Sequence, residues 1–303
     1  MGIRFHKKPQ LDNPILIASW PGIGNIGVIA VDTLIKGLNA EEFGEIEPWD
    51  FFYPKQISVR KGILEHLTFP NSKFYFKKTT DRDLIFFIGE EQPADEGGMY
   101  AEGKKAYQMA NLVLDVAEEF RCRRIYTSGA AISLTHHTLK PRVWTVPNSA
   151  HLIPEVKEFE NSILMSEVEG RRGYGSITGL NGLLLGAAKK RGFEAICVMG
   201  EIPVYLQEMP IPYPKASKSV LEVLSYKLKI ELDLNTLDNL ADKVEIRIEE
   251  FYRQIPSEIK SLLEKLRHGI YTEQTEPRPI TEEDKKRIME DIDQLFKKRG
   301  GGD

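Results

Sequence analysis

Pro21-Gly22-Ile23-Gly24-Asn25-Ile26-Gly27 separates an apolar, strand-like run at 14–20 from an apolar, helix-like run at 28–38. Its place makes it a tight turn that delivers a strand into a helix N-terminus. Such a turn offers unpaired N–H groups and the positive end of a helix dipole, and its glycines admit a close backbone approach. Gly22, Gly24 and Gly27 also spell the glycine order of the dinucleotide fingerprint. That reading demands a second buried parallel strand ending in an acid about 20 residues further on. Glu41, Glu42, Glu45 and Glu47 lie at that distance, but residues 41–50 lack a Val/Ile-rich run and Pro21 directly precedes the first glycine. The turn therefore reads first as a strand-to-helix crossing and second as a ligand loop.

Working outward, short apolar runs predict strands at 57–69 (broken by Arg60-Lys61-Gly62), 73–77, 84–88, 125–127, 163–168 and 195–199. Helical spacing appears at 25–38, 100–120 and 182–190. Apolar strands alternating with helices predict an α/β fold, a mixed and largely parallel sheet covered on both faces. The stretch 57–77 reads instead as a hairpin or meander turning near Pro70-Asn71. Beyond Lys215 the pattern is helical: 216–230, then a stripe of Leu237, Leu240, Ala241, Val244, Ile248 and Phe251, a break at Pro256, and a second stripe of Ile259, Leu262, Leu263 and Leu266. Thr281-Glu282-Glu283-Asp284 resembles a capping box ahead of a helix over 281–298. The expected division is an α/β core over 1–235, a helical extension over 236–268 packed on it, and a linker with an amphipathic helix over 269–303.

The 303 residues carry a net charge of −4 with both signs abundant, which argues against a nucleic-acid partner. Two cysteines, Cys122 and Cys197, are too few for a disulfide framework or a cysteine metal site, and a reducing, cytoplasmic setting is expected. No apolar stretch approaches the roughly 20 residues of a bilayer span. Neither a membrane nor a cofactor is expected.

Ligands of parallel sheets gather beyond the strand carboxyl ends. Gly22, Gly24, Asn25 and Gly27 follow the first strand; Glu90 and Gln92 follow 84–88; Ser128 follows 125–127; Glu201 follows 195–199. These eight residues form the expected rim pocket, in which two carboxylates would suit a cation or acid/base work. The alternative reading of each acid is a turn or helix-capping residue. A second glycine-rich helix entry, Gly179-Leu180-Asn181-Gly182-Leu183-Leu184-Leu185-Gly186, permits close helix packing or phosphate binding. His136-His137 reads as a surface loop pair. Cys122, flanked by Arg121, Arg123 and Arg124, reads as structural although cations favour a thiolate.

The two glycine-rich blocks, followed by Ala195-Ile196-Cys197-Val198-Met199-Gly200-Glu201 and the segment 218–233, resemble the proteasome assembly chaperone 2 family over about 14–248. Leu139-Lys140-Pro141-Arg142-Val143 and Ser219-Val220-Leu221-Glu222-Val223-Leu224 resemble its prokaryotic branch. The resemblance implies a three-layer α/β/α sandwich related to nucleoside phosphorylases, homo-oligomers, and a non-catalytic, chaperone-like role. Prokaryotic members are often labelled ATP-grasp or carboxylate–amine ligase relatives, yet no residues here support nucleotide-dependent ligation. Some archaeal members are thought to dock on the proteasome through a hydrophobic-Tyr-any ending. This chain departs from that pattern: it finishes Gly301-Gly302-Asp303, and Ile270-Tyr271-Thr272 lies internally. Two readings follow, a chaperone-like protein presenting its C-terminal helices to a protein partner, or a small-molecule enzyme or nucleotide-binding protein using the rim pocket.

Overall fold

The computed structural model describes residues 2–93, 103–168, 175–269 and 286. The linker and tail helix expected over 269–303, Ile270-Tyr271-Thr272 included, lie outside the described residues apart from Gly269 and Lys286. Nine strands among the described residues form one sheet in the order β1 (Ile3–Phe5), β3 (Glu41–Ile46), β6 (Ser72–Lys77), β7 (Leu84–Gly89), β2 (Ile15–Ser19), β8 (Arg124–Ser133), β11 (Glu194–Pro203), β9 (Val143–Pro147) and β10 (Ser162–Leu164). The four central strands, β7, β2, β8 and β11, are parallel neighbours. The flank from β1 to β7 is antiparallel throughout, and β9 runs antiparallel to β11.

Both faces are covered, as the run of apolar residues in β2 requires. Ile15 and Ile17 point into one apolar cluster with α1 (Ile26–Gly37), α3 (Ile153–Lys157), α5 (Pro214–Leu228), α6 (Asn235–Arg253) and α7 (Ser257–Gly269). Leu16, Ala18 and Trp20 point into the other, with α2 (Gly103–Glu119) and α4 (Gly179–Lys190). This is the three-layer α/β/α architecture expected, with its helical C-terminal elements. Among the described residues no helix is long and apolar enough to cross a membrane.

The structure differs from the sequence reading in several places. Residues 41–50 hold β3, an antiparallel strand whose buried side chains are Phe43 and Ile46 rather than an alternating valine face. Residues 57–68 form a separate hairpin, β4 (Gln56–Arg60) and β5 (Ile63–Thr68), turning at Lys61-Gly62 and not at Pro70-Asn71. Lys61 (φ 52) and Gly62 (φ 77) both occupy the left-handed region, as a two-residue type I′ turn demands. Of 163–168 only the start is strand, because Met165–Glu167 winds into a 3-10 turn. Finally, His136 and His137 are buried rather than on a surface loop.

The histidines are buried because the C-terminal helices pack over them. The His137 ring lies between the Tyr205 hydroxyl (Nδ1, 2.7 Å) and Glu249 of α6 (Nε2, 3.0 Å), and Tyr252 packs edge-on against both imidazoles. Burial pushes the His136 pKa down to about 4, with the neighbouring His137 adding to the effect; Glu264 and Glu249 act against it, and Arg267 with it. The folded pKa therefore lies below the unfolded value near 6.5, so the neutral ring's contribution is present above that value and lost as pH falls towards 4. We expect on the order of 2–3 kcal/mol of stability to disappear between pH 7 and pH 4 through this site. Urea unfolding at a series of pH values checks it: His136→Asn should flatten the dependence, and an unchanged slope would refute the assignment.

Candidate functional site

The turn after β2 is shaped by what packs against its glycines. Gly22 is extended, and a Cβ there would meet nothing within 4 Å. Gly24 has φ 61, and a Cβ would lie 2.9 Å from the Cβ of Tyr213; its carbonyl accepts the Tyr213 N–H at 2.7 Å. Gly27 is the tightest point, since a Cβ would stand 2.4 Å from the Ser128 carbonyl oxygen and 2.5 Å from Ser19 Oγ. Asn25 closes the turn in the left-handed region (φ 49), its N–H bonded to the Gly22 carbonyl, and leaves the α1 terminus without a side-chain cap. Two of the three fingerprint glycines thus serve packing against the protein itself.

The second glycine-rich entry is joined to the first. Gln92 donates to the Pro21 carbonyl, while its Oε1 accepts the Leu180 N–H at 2.9 Å and occupies the N-terminus of α4. Gly179 (φ 74) faces the same carboxamide. Buried Asn181 clasps Trp20 at both main-chain groups. A carboxamide thus fills the position where phosphate binding was a possible reading, and a Cβ on Gly182 would strike Ile177.

Asn25 and Glu90 meet in an open cleft of about 660 Å³ on the α1 face of the sheet, with Pro21, Lys55, Asn71, Lys73 and Tyr75. Its charges are already paired. Glu90 accepts from the Asn71 side chain at 2.7 Å and main chain at 3.1 Å. Partial burial would raise its carboxyl, but the Asn71 bonds and the Lys55 charge together hold it below the ordinary value. Lys55 sits 2.8 Å from Glu91 and Lys73 2.9 Å from Glu42, and each of these hydrogen bonds raises the ammonium pKa. A polar, internally neutralised cleft of this kind suits recognition of a surface better than proton transfer.

Ser128 and Glu201 do not belong to this cleft. Both were read as lying beyond strand ends, but β8 and β11 continue through Gly129 and Gly200, paired from Arg124↔Glu194 to Ser133↔Pro203. Glycine stops neither strand here; Gly200 is needed because α5 approaches so closely that a Cβ would lie 2.9 Å from the Ala216 carbonyl oxygen. Ser128 is consequently buried in mid-strand. Glu201 points to the opposite face, where it accepts from Trp144 Nε1 (2.7 Å), Arg142 Nη2 (2.9 Å), the Arg142 N–H (3.0 Å) and Ser133 Oγ (3.2 Å). It is a buried structural carboxylate, and the two-acid rim is not assembled. Burial pushes the thiols of Cys122 up to about 12 and Cys197 up to about 11, which makes both structural. Among the described residues no group of three or more potential metal ligands occurs.

Sequence reasoning missed Lys55, Asn71, Lys73 and Tyr75. A signal existed for two of them: β6 alternates Ser72, Phe74 and Phe76 with Lys73, Tyr75 and Lys77, which puts Lys73 and Tyr75 on one face.

The sequence profile of the PAC2 family matches residues 16–252. Pyrococcus furiosus PbaB, described as an archaeal proteasome activator, is 30% identical and superposes with a TM-score of 0.68, covering 82% of this chain and 98% of PbaB. The uncharacterized Methanocaldococcus jannaschii protein MJ1210 is 28% identical over 241 residues, 79% of this chain and 83% of its own length. The Mycobacterium tuberculosis proteasome-assembly chaperone homologue Rv2125 shares the fold at 20% identity, with a TM-score of 0.62 over 83% of this chain and 99% of that one.

Proposed function

Because this chain belongs to the PAC2 family, we propose that it is a non-catalytic, oligomeric binding protein of the chaperone type that acts on the proteasome. The observation that carries this reading is the likeness to the proteasome activator PbaB over nearly that protein's whole length. The site geometry supports it, since the glycine turns are packed by Tyr213, Ser128 and Gln92, and the cleft's charges are paired with one another. Asn25 and Glu90 remain our candidate recognition residues at the exits of β2 and β7. Partner contact through the tail over 281–298 is part of the proposal, and the role implies a cytoplasmic setting.

The test uses the full chain with purified proteasome core particles and with unassembled proteasome subunits. We expect co-sedimentation and a changed rate of peptide hydrolysis or of particle assembly; no binding and no change in either rate would refute the reading. Removing residues 270–303 should weaken that binding if the tail takes part.

The enzyme reading makes a separate prediction. A ligand at 100 times its dissociation constant adds about 2.7 kcal/mol and would raise the melting temperature by several degrees. A thermal-shift panel of nucleosides, nucleotides and phosphate should move it by less than about 1 °C. A clear shift abolished by Glu90→Gln would restore the small-molecule reading.

A further inference from the structure

A second concavity, of about 240 Å³, opens where the ends of β3 and β5 meet the start of β6. Its walls are apolar. Trp49 and Phe69 meet edge to face with ring centroids 4.6 Å apart, beside Leu67 and Pro70. Trp49 is 66% exposed, so the contact with Phe69 holds a large aromatic surface in a fixed place against solvent. The volume falls below the roughly 300–1,000 Å³ of small-molecule pockets. A few residues of an extended chain suit it better.

Two polar residues narrow the choice of chain. Glu47 lines the cleft, half-buried and without an ion-pair partner among the described residues, while nearby Glu45 is engaged by Arg4. Ser72 lines it too; it is 2% exposed, and its Oγ has no hydrogen-bond partner. A buried hydroxyl in that condition lacks an acceptor. The ligand implied joins an apolar ridge to a cation and a free carbonyl. A polyproline II strand offers all three, since its carbonyls make no internal hydrogen bonds and aromatic-lined grooves are its usual receptors.

This chain carries such a segment, Glu276-Pro277-Arg278-Pro279-Ile280. Pro277 and Pro279 fix their own φ and bias Glu276 and Arg278, the residues before them, toward extended conformations. At three residues per turn, Pro277 and Ile280 fall on one side of a polyproline II strand with Arg278 next to that side. Eight residues separate Pro277 from Gly269 at the end of α7, a tether of up to about 28 Å. That is long against the roughly 19 Å radius of gyration of a domain of this size.

We propose that the Trp49–Phe69 cleft is a polyproline II docking site for this chain's own residues 276–280, with Pro277 and Ile280 on the aromatic pair and Arg278 on Glu47. Docking there sets the point from which residues 281–298 leave the body. The inference does not rest on the proteasome reading.

Acrylamide quenching of tryptophan fluorescence in the full chain tests it. Trp20 and Trp144 are buried, so Trp49 dominates the quenchable signal, and Trp49→Phe identifies it. The wild-type ring should be shielded. Pro277→Gly/Pro279→Gly should weaken docking about four- to thirty-fold through lost preorganisation and uncover the ring. Arg278→Glu should uncover it as well, and adding Glu47→Arg to that variant should restore the shielding; if Glu47→Arg disturbs the far-UV circular dichroism, Glu47→Gln alone should uncover the ring instead. Equal quenching in wild type and the proline variant, or no effect of Arg278→Glu, would overturn the proposal. Shielding that survives both variants but is lost on dilution would also overturn it, by assigning the cleft to a second copy.

Discussion

Gly27→Ala is expected to destabilise the protein by about 3 kcal/mol or more, while Gly22→Ala, five residues earlier in the same turn, changes stability by less than about 0.5 kcal/mol. Overpacking commonly costs about 1–3 kcal/mol, and more where the neighbour cannot yield. At Gly27 the neighbours are the Ser128 carbonyl, fixed in the middle of β8 and 2.4 Å from the added carbon, and Ser19 Oγ at 2.5 Å. Neither can retreat without displacing a central strand or breaking the 3.1 Å bond from Ser19 Oγ to that same carbonyl. Gly22 has open space and an extended conformation that any residue adopts. A ligand loop would show the reverse order, with Gly22 sensitive in binding and Gly27 mild in folding. Urea denaturation of the two variants, beside their proteasome binding, distinguishes these outcomes.

Glu201→Ala should also destabilise, by about 1–3 kcal/mol, because the guanidinium of Arg142 and the indole N–H of Trp144 lose the acceptor they share. Trp144 is almost wholly buried. Glu201→Gln should be milder, about half as costly, since an amide oxygen still accepts from Trp144 while the charge opposite Arg142 is lost. The side chain lies on the sheet face opposite the Asn25 cleft. Proteasome binding per folded molecule should therefore be unchanged in both variants. A binding defect in a fully folded Glu201→Gln protein would return this carboxylate to the functional site.

The elements legible in the sequence were those whose neighbours are local. Residues 14–18 and 84–88 are apolar without interruption because both faces of β2 and β7 are covered, and the stripes Leu237 to Phe251 and Ile259 to Leu266 resolve into α6 and α7 on either side of Pro256. The antiparallel flank was harder. In β3, Glu41, Glu42 and Glu45 stand among Phe43, Gly44 and Ile46 without strict alternation, and the register shifts between Glu42 and Gly44, a pattern that resembles a loop until β1 and β6 are seen beside it.

The cleft was legible only by halves. Asn25 and Glu90 follow apolar runs that prove to be adjacent parallel strands, so the strand-end argument brought them together. Applied to Ser128 and Glu201 it failed, because a glycine inside a strand and a glycine ending one look alike in sequence. Ten continuous pairs between β8 and β11 decide between them, and those pairs join residues 70 apart.

By itself, then, the sequence determined the layer order, the position of the strand-to-helix crossing and the helical character of residues 214–269, since each is written in the period of local apolar residues. Tertiary structure alone decided what the glycines are for, which acids face the cleft, that His136-His137 is roofed by α6 and α7, and that Trp49, Phe69 and Ser72 line one concavity. These depend on the approach of chain segments far apart in sequence, and local periodicity carries no record of such distances.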